Sequence, residues 1–72
     1  MKKDEFMNGI DCLRGRGYVY SFNEEKKIHL ALEKKEVSAP EWMKTCKSMG
    51  SAPDKPAPDF LVSQAIRREK NE

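Results

Sequence analysis

The stretch Tyr18-Val19-Tyr20-Ser21-Phe22-Asn23-Glu24-Glu25-Lys26-Lys27-Ile28-His29-Leu30-Ala31-Leu32 decides the fold, because it can be read with two different periods. Taken as a β-hairpin, polar residues 23–27 form a loop, and the flanks pair Phe22 with Ile28, Tyr20 with Leu30 and Tyr18 with Leu32. The apolar pairs then share one face, as side-chain alternation along strands requires. Taken as a helix, Ser21-x-x-Glu24 is a capping box that starts a helix running through residue 36. That helix gathers its apolar residues less cleanly, since Leu30 falls roughly 200° from Ile28 at about 100° per residue. The cross-strand matching predicts the hairpin, with an all-α bundle as the alternative.

Towards the N-terminus, Phe6, Met7, Ile10 and Leu13 fall at i, i+1, i+4 and i+7, one face of a helix over residues 4–14. Asp4 is its expected cap and Gly15 its expected left-handed stop. Gly9 inside it lowers helix propensity by about 1 kcal/mol relative to Ala, so this helix must depend on packing. Beyond the hairpin, Ser38-Ala39-Pro40-Glu41 combines a Ser cap, a first-turn Pro and a Glu at the third helical position. Trp42, Met43, Cys46 and Met49 then make an apolar face, and Gly50 a stop. Residues 51–59 hold three of the four prolines and read as a semi-rigid spacer. Asp59 is the expected cap of a last helix bearing Phe60, Leu61, Val62, Ala65 and Ile66. The expected architecture is therefore α+β: a small core over residues 1–50 (helix, β-hairpin, helix), a Pro-rich linker over 51–59, and a C-terminal amphipathic helix or tail over 60–72.

Composition narrows the function classes. Seventy-two residues, 38% apolar and 36% charged, suit one domain with a small core. A net charge of +2 falls short of the excess expected of a protein held mainly by phosphate contacts. The charged start, Met1-Lys2-Lys3-Asp4-Glu5, meets no apolar run of signal-peptide or membrane-spanning length, so a cytoplasmic protein without membrane contact is expected. Cys12 and Cys46 stand apart from any metal-ligand spacing and are read as reduced thiols. His29, the single histidine, has no neighbouring motif from which to build a triad or metal trio. No enzyme, cofactor or small-molecule substrate is expected.

What remains is a non-catalytic protein-binding or regulatory module that acts by occupying a partner, either another protein or a second copy of itself. Trp42 and Met43 are candidate contacts because Trp and Met are enriched at binding surfaces. Phe60, Leu61 and Ile66 join them, because an amphipathic helix this short needs a receiving surface. The alternative is a DNA- or RNA-binding regulator with a basic turn at Arg14 and Arg16, where Tyr18 and Tyr20 offer stacking rings. Arg16-Gly17-Tyr18-Val19-Tyr20-Ser21-Phe22 has the basic-glycine-aromatic order of the strand in RNA-recognition domains. It lacks that strand's further Gly or Ala and differs by one residue of spacing, and no family is assigned.

Overall fold

The computed structural model describes residues 1–49 and 53–70 and contains four α-helices: α1 (Lys3–Gly15), α2 (Phe22–Lys34), α3 (Ala39–Met49) and α4 (Pro58–Lys70). The expected stop at Gly50, the first two residues of the linker and the last two of the tail lie outside the described residues.

The expected α+β fold with a β-hairpin is incorrect. There is no strand among the described residues, and the decisive stretch is helical from Phe22 onward. The capping box outweighs the alternation. The Ser21 hydroxyl accepts from the Glu24 N–H at 3.2 Å, and the Ser21 N–H donates to the Glu24 carboxylate at 2.9 Å. That second bond is the main reason the Glu24 carboxyl sits below its ordinary pKa. Two donors at a helix start that would otherwise be orphaned are thereby satisfied. Of the hairpin's apolar set, Ile28 and Leu32 are buried, one turn apart, whereas Phe22 is 78% and Leu30 52% exposed. Tyr18 and Tyr20 are buried with Val19 exposed between them, so the alternation belongs to the irregular α1–α2 connection.

Both N-terminal helices end in a Schellman motif. At α1, the Tyr18 N–H reaches the Leu13 carbonyl and the Gly17 N–H that of Arg14, each at 2.9 Å. Gly17, with φ of 95°, takes the left-handed position rather than Gly15, which stays helical. At α2, Val37 bonds to Leu32 and Glu36 to Glu33, so Glu36 adopts φ of 55° without glycine's freedom. At the α1 start, Lys2 stands at the cap position and donates its N–H to Glu5 at 3.0 Å, which leaves Asp4 in the first turn.

The core is centred on Trp42 of α3. Its side chain is fully buried, and the indole N–H donates to the Phe6 carbonyl of α1 at 3.0 Å. Gly9 makes this crossing possible, since a Cβ there would collide with the indole and with Cys46 Sγ. Ile10, Leu13, Ile28, Leu32, Leu61 and Ala65 are among the side chains buried around it. α4 packs across α2 and α3, and α1 packs on α3. α1 and α2 touch each other least of these neighbours.

Candidate functional site

The weak contact between α1 and α2 leaves a groove of about 450 Å³. α1 contributes Lys3, Phe6, Met7 and Arg14; α2 contributes Phe22, Glu25, Lys26 and His29. The helices run antiparallel here. Arg14 near the end of α1 holds both Glu25 carboxylate oxygens in the first turn of α2 at 3.2 Å, and Phe6 near the start of α1 meets His29 further along α2. Spacing of i, i+3, i+4 and i+7 puts all four α2 residues on one face.

The floor is aromatic. The His29 imidazole lies parallel to the Phe6 ring, with centroids 4.5 Å apart and planes within 8°, and Phe6 in turn lies 5.5 Å from the Trp42 ring. His29 is held at its edge, with Nε2 3.2 Å from the Glu33 carboxylate and 3.4 Å from the Met1 carbonyl. Phe22 stands over one end, the most exposed of the large apolar side chains described. The charges on the rim are unevenly matched. Arg14 is neutralised by Asp11 and Glu25, whereas Lys3 and Lys26 have no ion-pair partner among the described residues.

The connection that sets the α1–α2 separation is strapped down from the other side. Tyr20 donates its hydroxyl to the Pro56 carbonyl at 2.6 Å, and Lys55 sits 4.8 Å above the Tyr20 ring while donating to the Val19 carbonyl at 3.0 Å. Burial, then the nearby Glu24 charge, pushes the Tyr20 hydroxyl pKa up to about 12.

The residues singled out from the sequence are scattered. Trp42 and Leu61 are fully buried, Met43 and Ile66 half-buried, and Phe60 is 47% exposed at the start of α4. Of the alternative set, Arg14 is tied to carboxylates, Arg16 is exposed but has a partner of its own, and the rings of Tyr18 and Tyr20 are buried and so turned away from any base. Only Arg14 lines the groove. Sequence reasoning missed Lys3, Met7, Phe22, Lys26 and His29 as a set. The signal was the capping box itself, which, accepted as a helix start, puts Phe22, Lys26 and His29 on one face.

Among the described residues no three His, Cys, Asp or Glu side chains converge as metal ligands would, and no helix is long and apolar enough to cross a membrane. Cys12 and Cys46 are both free thiols, and burial, reinforced by Cys12, pushes the Cys46 thiol pKa far up. A second, smaller hollow of about 260 Å³ lies between α2 and α4. Comparison of the chain with family models, curated proteins and solved structures finds no match.

Proposed function

We propose that the protein is a non-catalytic binding module that receives a segment of a partner protein in the groove between α1 and α2. The observation that carries this reading is Phe22, 78% exposed beside an aromatic floor in a chain that buries its other groove aromatic, Phe6, to 2%. Exposed beside Met7 and the Phe6–His29 floor, Phe22 extends an apolar and aromatic lining of the kind that ligand and partner grooves carry. Further support comes from Ser21, whose cap fixes Phe22 at the first position of α2. The reading includes a reducing, cytoplasmic setting, which the free thiols of Cys12 and Cys46 support.

The test is Phe22→Ser in the full chain. The variant is expected to keep the helical spectrum and melting behaviour of the parent while losing the protein partner that the parent retains from its host. Retention of that partner by the variant, or retention of nucleic acid in its place with a steep salt dependence, would count against the groove reading.

A further inference from the structure

We infer that the occupant of the α1–α2 groove is an acidic amphipathic helix of another protein, with apolar anchors facing Phe6, Met7 and His29 and carboxylates facing Lys3 and Lys26. This rests on the groove reading above and names the chemistry of the partner. On α1 the groove runs from Lys3 to Arg14, about 16 Å at 1.5 Å per residue, which is the length of roughly three helical turns. Its two walls are helices, and no sheet edge is present among the described residues to take an extended strand by backbone pairing. A third helix laid between two others buries an i, i+3/i+4, i+7 row against them.

Glu25 is the carboxylate inside the groove, and Arg14 already holds both of its oxygens. Glu33 is not among the residues that line the groove, and its carboxylate lies beyond His29, 3.2 Å from Nε2. Lys3 and Lys26 are exposed and have no ion-pair partner among the described residues, so the free charge on the rim is positive. Complementary rim charges set partner choice and encounter rate more than they set affinity. An acidic segment is therefore selected, and a basic one repelled.

The experiment uses the full chain and two labelled helical peptides of about 12 residues, matched to three turns of groove. Both carry Leu at i, i+3 and i+7, and they differ only in having Glu or Lys at the flanking positions. Binding is read by anisotropy of the labelled peptide, and its location by amide shifts of Met7, Phe22 and Lys26. The Glu peptide is expected to bind about tenfold more tightly, from the two rim pairs at Lys3 and Lys26 and the matching repulsion of the Lys peptide, each of modest energy. The preference should shrink with salt and reverse in the Lys3→Glu, Lys26→Glu double variant. Equal binding of both peptides, abolished by Phe22→Ser, would leave the groove reading standing and overturn the acidic assignment. Binding insensitive to Phe22→Ser, or shifts mapping elsewhere, would overturn the groove itself. A failure of both peptides to bind at millimolar concentration would overturn the helical occupant. So would displacement of the Glu peptide by single-stranded oligonucleotide acting at Lys3 and Lys26, in favour of a nucleic acid.

Discussion

Helix α1 has two flanks that were built differently. Against α3 the approach is so close that position 9 has no room for a side chain, and an indole N–H reaches across to a carbonyl. Against α2 the contact is sparse, leaving an open groove crossed by the Arg14–Glu25 ion pair and the Phe6–His29 stack. The same helix thus supplies the core with one face and leaves another facing solvent. The packed contact and the open groove occupy different sides of α1, so substitutions should separate their effects.

The largest loss is expected at the closed flank. Trp42→Ala should lower stability by about 3–5 kcal/mol, comparable with the whole stability of a domain this small, and chemical denaturation should show little folded protein. Gly9→Ala comes next. Helix propensity favours Ala by about 1 kcal/mol, but the added methyl meets a rigid, hydrogen-bonded indole, and the net outcome should be a loss of about 2 kcal/mol. A gain in melting temperature in this variant would mean that the α1–α3 contact is looser than described.

Tyr20→Phe tests the strap behind the open flank. Removing a buried hydroxyl leaves the Pro56 carbonyl without its donor, at a cost of about 1–3 kcal/mol. The pH dependence has a definite sign. Below the ordinary value of 10.0 the phenol is neutral in folded and unfolded chains alike, so its contribution is fully present and does not change with pH. Between 10.0 and about 12 the unfolded chain releases the proton first, so stability falls as pH rises through that window. Ultraviolet titration of tyrosinate should show one group ionising at about 12, and that group should vanish in the variant.

Phe22→Ser should change stability least, within about 0.5 kcal/mol, because the ring it removes is mostly in water. A much larger loss on denaturation would show that Phe22 helps hold the bundle together, and would erase the contrast between the flanks.

The apolar face of α1 was legible because Phe6, Ile10 and Leu13 repeat at helical spacing and all three are buried. The start of α3 at Ala39 was legible in position from a Ser, a Pro and a Glu at fixed offsets, although Ser38 gives its hydroxyl and N–H to Glu69 of α4, at 3.1 and 3.2 Å, rather than to Glu41. The middle of the chain misled because apolar identity is not burial. Phe22 and Leu30 supplied two of the three hairpin partnerships, and both are exposed. Removing them leaves Ile28 and Leu32, an i, i+4 pair consistent with the capping box before it. The groove was illegible for the same reason, since its outer aromatic had been assigned to an interior. Its basic rim, Lys3 and Lys26, comes from two helices whose approach no local pattern encodes.

His29, Phe6 and Trp42 stack in series from the groove to the core, and Trp42 is the chain's single tryptophan. Its emission comes from one indole in one environment, fully enclosed and hydrogen-bonded to the backbone of the residue that floors the groove. Anything that settles on His29 and Phe6 presses on that fluorophore through a single ring. The molecule therefore carries a built-in optical gauge of groove occupancy, with no attached dye.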